Sequence, residues 1–200
     1  MKSVFALVMF LAAGGPASAE GLANTNPRLV QAGSYNVEPN HTRVQFNVSH
    51  MGFTTWTGDF TSVGGALTLD PAHLRGSHLE IAIPTASVTT TNAKLDGELK
   101  SADWLDAVHY PKIFFISNKI VRTAQNKANI YGYLTLHGVT HLAVLAASFN
   151  GAGVNPMNKK YTIGFDATTK ISRSTYGVTK YVPLIGDATL IRISAAFEKN

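Results

Sequence analysis

The residues of this chain best suited to binding a metal ion are its seven histidines, of which His137 and His141 are four positions apart. That spacing places both imidazoles on one face only in a helix. The residues between them are Gly138, Val139 and Thr140, which favour a turn and a strand over a helix. We therefore expect no metal site at this pair.

The sequence lacks the residue patterns that accompany common covalent chemistry. It contains no cysteine, which excludes thiolate catalysis, disulfide exchange and cysteine-based zinc sites. A G-x-S-x-G elbow, an H-E-x-x-H pair, a P-loop and a dinucleotide glycine fingerprint are also missing. Asp103 and Asp106 lie three apart in a predicted helical segment, where capping or solvation is a simpler role than acid–base catalysis. We expect no catalytic residue and no catalytic cofactor.

Four polar side chains are candidates for contact with the polar end of a ligand: His50, Asp96, Arg173 and Tyr176. His50 ends a predicted strand, where it either forms a hydrogen bond at the core or rim, or orients a quinone or amide headgroup. Arg173 lies where a predicted strand gives way to a longer connection. Its guanidinium either bonds loop carbonyls or recognises a headgroup at a rim, and the sequence leaves both interpretations open.

Strands must position these side chains, because a period of two dominates the chain after residue 34. Val44, Phe46, Val48 and His50 share one face of the first predicted strand, opposite polar neighbours. The same alternation recurs at Leu67/Leu69, Leu79/Ile81/Ile83, Ile130/Gly132/Leu134/Leu136, Tyr161/Ile163/Phe165 and Leu190/Ile191/Ile193. The continuous apolar run over residues 113–116 predicts a strand covered on both faces. Short turn signals separate these segments, which predicts an antiparallel sandwich or barrel.

One segment between residues 91 and 108 breaks the alternation. Its apolar residues follow helical spacing at Leu95, Leu99, Ala102 and Leu105. Asn92 and Ser101 are plausible N-caps, which predicts one or two short helices kinked near Gly97, with Trp104 nearby. A helical segment inserted between strands would close one end of a barrel.

The N-terminal residues are typical of a signal peptide, predicted over residues 1–19. Lys2 precedes an apolar run from Val4 to Ala13, and Ala17-Ser18-Ala19 suits signal peptidase. We expect cleavage after Ala19 and a periplasmic location. A loose, polar leader is predicted over residues 20–33, followed by a single β-barrel domain over residues 34–200.

The charge of the chain argues against nucleic acid as a partner. Seventeen Lys and Arg exceed twelve Asp and Glu, a formal net charge of +5 that includes Lys2. The basic residues are scattered, with Lys159 and Lys160 the only adjacent pair, so no basic stripe follows a phosphate backbone. A weak, transient contact with anionic membrane surfaces is compatible with this balance.

Several motifs occur together, in order, along most of the chain. They include Tyr35-Asn36-Val37-Glu38-Pro39, Val48-Ser49-His50-Met51-Gly52-Phe53, Leu99-Lys100-Ser101-Ala102-Asp103-Trp104, Gly132-Tyr133-Leu134-Thr135-Leu136-His137-Gly138 and Ser172-Arg173-Ser174-Thr175-Tyr176-Gly177. From about Tyr35 to Lys199 the chain resembles the YceI family of polyisoprenoid-binding, lipocalin-like periplasmic proteins. It departs from the family over residues 95–98, where Leu-Asp-Gly-Glu replaces a common Arg-Asp-x-His pattern. A headgroup contact by that Arg or His is therefore not carried over.

The resemblance implies an all-β fold: an extended eight-stranded antiparallel lipocalin-like barrel with a short helical cap, a bound polyisoprenoid or similar amphiphile, and often a homodimer. An interior of about eight strands either packs with its own side chains or holds one elongated ligand. For the second alternative, the predicted ligand-binding residues are Phe46, Val48, His50, Phe53, Phe60, Leu69, Ile81, Leu95, Asp96, Leu99, Trp104, Phe115, Leu134, Phe165, Arg173 and Tyr176.

The predicted function is non-catalytic binding and carriage of an amphiphilic lipid: a polyisoprenoid, an isoprenoid quinone, or a fatty amide or acid. Three alternatives stay open on the sequence alone. They are a hydrolase or isomerase acting on an isoprenoid-like substrate, a small outer-membrane barrel, and an exported module with a solid core.

Overall fold

The computed structural model describes residues 22–200, so the predicted signal peptide and its cleavage after Ala19 lie outside the described residues. Ten strands and one α-helix form within residues 22–200. The strands are β1 (Gly33–His50), β2 (Thr54–Phe60), β3 (Gly64–Leu69), β4 (His78–Pro84), β5 (Val88–Thr89), β6 (Lys112–Ala124), β7 (Lys127–Leu136), β8 (Val139–Val154), β9 (Tyr161–Ser172) and β10 (Ile185–Lys199). The helix is α1 (Ala93–Lys100), and short 3-10 turns cover Pro27–Leu29, Leu74–Gly76, Thr85–Ser87 and Arg173–Tyr176.

The strands close into the predicted eight-stranded antiparallel barrel. β2 and β3 follow each other along the same side of β1, and β5 continues β4 after the turn at Thr85–Ser87. Each of these two pairs therefore acts as one interrupted strand of the wall. Neighbouring strands are antiparallel, and β1 closes the ring on β10, from Tyr35 opposite Lys199 to His50 opposite Ile185.

The period of two sorts the side chains of each strand between the barrel interior and solvent. On β1, for example, Phe46 points inward and Arg43 points outward. On β10 the prediction that grouped Leu190 with its neighbours is wrong in one respect. Ile191 and Ile193 face the interior, whereas Leu190 faces outward opposite Asn47, because adjacent residues of a strand point to opposite faces.

The prediction that residues 113–116 form a strand covered on both faces is also wrong. Ile113 and Phe115 are buried in the interior, but Phe114 and Ile116 are 38% and 45% exposed on the outer face of β6. The physical reason is the topology. An antiparallel barrel needs to bury only one face of each strand, so Phe114 and Ile116 stay exposed on the outer face.

α1 covers part of the upper end of the barrel, where Leu95 and Leu99 line the interior. The Asn92 side chain caps the helix by accepting hydrogen bonds from the Lys94 and Leu95 amides at 3.1 and 3.3 Å. One helix forms rather than two. Ser101, predicted as a second N-cap, instead terminates α1, since its amide and hydroxyl both donate to the Glu98 carbonyl.

The segment before β1 is not the loose leader that its composition predicts. From Leu22 onward it lies against β8, where the Asn24 amide and carbonyl exchange hydrogen bonds of 2.8 and 3.0 Å with Ala152. Pro27 and Val30 are buried at the lower end of the barrel. The segment thus adds a short strand-like edge to β8 and covers part of that end.

Candidate functional site

A cavity of about 780 Å³ runs along the barrel interior from the upper to the lower end. Its wall consists almost entirely of apolar side chains, and all eight strands of the barrel wall contribute to it. The core therefore does not fill the barrel; it forms two clusters of buried residues, around Phe60 and Trp104 near the upper end and around Phe149 and Phe197 near the lower end. Such a volume and lining are those of a site for a small apolar ligand.

Small inward-facing residues on β8, β9 and β10 explain why space remains between the walls. The positions are Ala143, Ala147, Ala167 and Ala195, and all four line the cavity. A larger apolar residue at any of them would project into the space that the ligand is expected to occupy. The prediction from the sequence did not include these alanines. The period of two could have identified them, because Ala143 and Ala147 share the inward face of β8 with Leu145.

Two glycines allow aromatic rings to lie flat against the wall. A Cβ atom on Gly58 would come within 2.3 Å of the Phe46 ring, which crosses it from the paired position on β1. A Cβ atom on Gly132 would come within 2.6 Å of the Phe115 ring. Rings held over glycine occupy the wall instead of the lumen, and the cavity stays open along these strands.

Thirteen of the sixteen predicted ligand-binding residues lie together around this cavity: Phe46, Val48, His50, Phe60, Leu69, Ile81, Leu95, Leu99, Trp104, Phe115, Leu134, Phe165 and Arg173. Three do not. Phe53 is 84% exposed in the turn between β1 and β2, because the alternation ends at His50 and the backbone turns through left-handed conformations at Met51 and Gly52.

Asp96 faces the β5 end instead of the cavity. Its carboxylate accepts hydrogen bonds from the Thr89 and Thr90 hydroxyls at 3.0 and 2.7 Å and from the Thr90 amide at 2.6 Å. The bond from the Thr90 hydroxyl is the largest cause of a pKa below the usual value for this carboxyl group. Asp96 therefore ties α1 to the barrel wall.

Tyr176 is buried outside the cavity, in the turn after β9. Its ring packs edge-on against His141 at a centroid distance of 5.1 Å, and burial raises the pKa of its hydroxyl. The His141 Nε2 atom lies 3.0 Å from the Thr175 carbonyl, and the His137 Nδ1 atom lies 3.2 Å from the Tyr176 carbonyl. His141 thus fastens this turn to β8, and His137 fastens it to the turn between β7 and β8.

Arg173 lines the cavity, but its polar atoms are engaged elsewhere. The guanidinium donates to the carbonyls of Val178, Lys180, Ile185 and Gly186 at 2.8 to 3.0 Å. It also lies over the Trp104 ring, with 5.2 Å between Cζ and the ring centroid. Burial lowers the pKa of Arg173 below its ordinary value. Four carbonyl bonds identify a structural role: Arg173 organises the loop that forms one side of the upper end.

The two ends of the cavity differ in chemistry. At the upper end four exposed lining residues are apolar, Met51, Trp56, Tyr181 and Leu184, and His50, Asn92 and Lys94 lie beside them. At the lower end they are polar or charged: Arg122, Gln125, Asn126 and Lys127. Arg122 also bonds the carbonyls of Pro71 and Gln125, which draws that end together.

Clusters of metal-ligating side chains and long apolar helices are two further features that bear on function. Within residues 22–200, no three His, Cys, Asp or Glu side chains come close enough to hold a metal ion. In the same part of the chain, no helix has the length and apolar character needed to cross a membrane.

Comparison with known proteins links this geometry to a family. A model of the YceI-like domain family matches residues 35–197. A UPF0312 protein of Pseudomonas savastanoi pv. phaseolicola is 35% identical over 141 residues, which are 70% of this chain and 73% of that protein.

Solved structures share the same fold. The crystal structure of Burkholderia cenocepacia BcnA matches with a TM-score of 0.70 at 23% identity, over 78% of this chain and 95% of that one. A polyisoprenoid binding domain from Saccharophagus degradans, implicated in plant cell wall breakdown, matches with a TM-score of 0.66 at 12% identity, over 85% and 100%. At these identities the likeness establishes the barrel architecture.

Proposed function

Because the chain belongs to the YceI-like domain family, we propose that it binds an amphiphilic lipid of the polyisoprenoid class in the barrel cavity and carries it without covalent chemistry. The observation that supports this proposal most strongly is the cavity of about 780 Å³ with its apolar wall. A prenyl chain presents apolar surface and almost no hydrogen-bonding groups. Burial of that surface, at about 25 cal/mol per Å², is a sufficient source of affinity.

The fold of a named lipid binder adds support. The Saccharophagus degradans domain is described as polyisoprenoid binding, and its whole length superposes on this barrel. The affinity expected for such a ligand follows from its size. At about −0.3 kcal/mol per heavy atom, each five-carbon isoprene unit adds roughly −1.5 kcal/mol, or about a tenfold gain in affinity until the cavity is filled.

The polarity of the wall favours a carrier over the alternative of a small outer-membrane barrel. Outer-membrane barrels carry apolar residues outward and polar residues inward. On β9 and β10 the arrangement is the reverse: Asp166, Lys170 and Arg192 project outward, while Phe165, Ala167 and Ile193 line the interior. We propose the periplasm as the place where the protein acts, reached through the signal peptide predicted over residues 1–19.

A homodimer is the second part of the proposal, and a row of exposed apolar side chains supports it. Ile116, Tyr133 and Leu142 stand opposite one another on the outer faces of β6, β7 and β8, and Phe114 extends the row. Exposed apolar groups in a contiguous row are typical of protein contacts. Sedimentation equilibrium is expected to give twice the monomer mass; a monomer at all concentrations would contradict this part.

Lipid carriage is tested by mass spectrometry of an organic extract from protein purified out of its own cell envelope. We expect a prenyl lipid in stoichiometric amount. The matching test in solution delivers prenols of increasing length from cyclodextrin and follows binding by quenching of Trp104 and Trp56 fluorescence. Absence of lipid in the extract, together with no binding of any prenol, would refute the proposal. Turnover of a bound prenol would instead favour the isomerase or hydrolase alternative.

A further inference from the structure

The upper end of the cavity opens through a group of exposed apolar side chains, here called the entrance rim: Met51, Phe53, Trp56, Tyr181 and Leu184. Phe53 is the most exposed, at 84%, followed by Leu184 at 60%. All of them except Phe53 also line the cavity. The apolar surface of the interior is thus continuous with the apolar surface of the rim.

The structure holds the entrance rim in its exposed position. The Met51 amide donates to the Leu184 carbonyl at 2.8 Å, which joins the β1–β2 turn to the loop before β10. Tyr181 packs edge-on against Trp104, with ring centroids 6.0 Å apart. Met51 and Gly52 adopt left-handed backbone conformations with φ of 52° and 75°, so that Phe53 projects from the tip of the turn. Exposed apolar groups held in this way indicate a surface that contacts something apolar.

In the part of the chain that the structure describes, no exposed apolar residue lines the lower end of the cavity. The apolar residues that line it there are buried or half-buried: Pro27, Val30, Pro71 and Leu74. An apolar chain leaving there would pass Arg122, Gln125, Asn126 and Lys127, which are exposed and polar or charged. Desolvation of these groups by a hydrocarbon chain is unfavourable. The apolar path out of the cavity therefore leads through the upper end.

We propose that the entrance rim docks on the surface of a lipid bilayer, with Phe53 and Leu184 inserted at the boundary between headgroups and acyl chains. This inference rests on the proposed lipid carriage and adds where the cargo is exchanged. A prenyl chain in the cavity and a prenyl chain in the bilayer would then share one apolar path, and transfer would not expose the chain to water. Exposed aromatic and aliphatic groups on one surface are the features that bind such an interface.

The charges around the rim indicate that docking depends on apolar contact more than on attraction to anionic lipids. Lys94 and Glu98 stand together at the mouth of the cavity, and Lys180 is paired with Asp103. These groups balance one another. We therefore expect docking on vesicles of zwitterionic phosphatidylcholine, with little dependence on salt.

The chain has no cysteine, so a single introduced cysteine gives a unique site for an environment-sensitive fluorophore. Thr54→Cys places the label on an exposed position next to the rim, and Thr123→Cys places it on an exposed position at the opposite end. With phosphatidylcholine vesicles, we expect a blue shift and quenching by nitroxide lipids for the label at residue 54 but not for the label at residue 123. Equal responses at both positions would overturn the proposal.

A matched pair of substitutions tests the rim directly. Phe53→Ser removes an exposed apolar side chain that does not line the cavity, and Met157→Ser removes one that is 92% exposed in the turn between β8 and β9, at the far end. We expect Phe53→Ser to lower vesicle partitioning about tenfold, the factor expected for burial of one phenyl group. Met157→Ser should leave partitioning unchanged. If both variants partition like the wild type, the rim does not dock.

Delivery of the lipid without a bilayer separates this inference from the proposed function. Prenol supplied from cyclodextrin should bind Phe53→Ser and the wild type equally, because Phe53 lies outside the cavity. If the wild type binds this prenol but the label at residue 54 does not respond to vesicles, docking is refuted and lipid carriage stands. If the label shifts with protein concentration in the absence of vesicles, a second copy covers the rim and docking is refuted. If no prenol binds by either route, lipid carriage itself fails.

Discussion

Glycine positions decide where the aromatic rings of the cavity wall lie. On β2, Gly58 leaves room for the Phe46 ring to cross it, because the nearest neighbours of an added Cβ are all atoms of that ring. A ring in this position covers the backbone of the neighbouring strand and takes little volume from the lumen. The size of the cavity therefore depends on a residue that has no side chain.

Gly58→Ala is expected to push the Phe46 ring off the wall and into the cavity. The ring would displace about one or two methylene groups of a bound prenol, each worth about 0.8 kcal/mol, so affinity should fall about tenfold. The melting temperature should change little, because the ring can move into open space. Gly64→Ala is the control, since its Cβ meets nothing closer than 3.8 Å. Unchanged prenol affinity in Gly58→Ala would contradict this role for the ring.

The carboxylate of Asp96 is expected to make the attachment of α1 sensitive to acid. Hydrogen bonds from Thr90 and Thr89 lower its pKa in the folded protein below the ordinary value for an aspartate. A carboxyl group with a lowered folded-state pKa stabilises the fold above its unfolded-state pKa, and this contribution is lost as the pH falls through the folded-state value.

Asp96→Asn should therefore melt at a lower temperature than the wild type at pH 7, and the difference should shrink as the pH falls below about 4. Thermal unfolding followed by circular dichroism between pH 7 and pH 3 checks this. Thr123→Ser, a non-titrating surface change, should show no pH-dependent difference. A constant difference for Asp96→Asn across this range would show that its bonds do not depend on ionisation.

At the scale of single residues, alternation identified large wall residues such as Phe46 and Phe165, since period two follows directly from strand geometry. Phe53 was predicted from its aromatic side chain and the family resemblance, and that prediction was wrong because left-handed residues end the strand before it. The prediction from alternation also passed over Ala147 and Ala167, since alanine carries too little apolar surface to stand out from the sequence.

At the scale of secondary structure elements, the segment from Leu22 to Val30 closes part of the lower end without being a regular strand. Its bonds to Ala152 extend the edge of β8 beyond the end of β7. Its composition is that of a loop, and the sequence gives no periodic signal for such an isolated bridge. Only the close approach allowed by Gly151 and Gly153 brings the two backbones together.

Gly153→Ala is expected to displace this segment, because the new Cβ would come within 2.5 Å of the Leu22 carbonyl oxygen, a backbone atom that cannot rotate away. Two hydrogen bonds worth about 1 kcal/mol each would weaken. Hydrogen exchange at the amides of Asn24 and Ala152 should therefore become faster. In the control Gly164→Ala the Cβ meets nothing closer than 3.8 Å. If hydrogen exchange in Gly153→Ala is unchanged, the segment moves without losing its hydrogen bonds to Ala152, which would contradict the prediction.

The start of the helical cap was predicted from the sequence, but its end was not. Asn92 and the spacing of Leu95 and Leu99 predicted where α1 begins and which side faces the barrel. The conformation of the chain after Lys100 depends on tertiary contacts. Trp104 is buried against the Arg173 side chain, and the segment that carries Trp104 forms turns instead of a second helix.

At the scale of the whole molecule, the many short alternating segments predicted an antiparallel sandwich or barrel, and the eight-stranded barrel was implied by the family resemblance. Whether the barrel was hollow could not be predicted, because a solid core and a cavity use the same apolar residues. The difference lies in how the side chains from opposite walls meet. That depends on register and on the placing of alanine and glycine around the ring, and it becomes visible only in three dimensions.

The most direct test of the account is to fill the cavity at one residue and to place the same side chain outside as a control. Ala147 lines the cavity on β8, and its neighbour Ala146 is exposed on the outer face. We predict that Ala147→Phe retains the fold, melts no lower than the wild type, and loses at least about tenfold in prenol affinity, whereas Ala146→Phe binds like the wild type. Equal prenol affinity in Ala147→Phe and the wild type would contradict the central claim that the ligand lies inside the barrel.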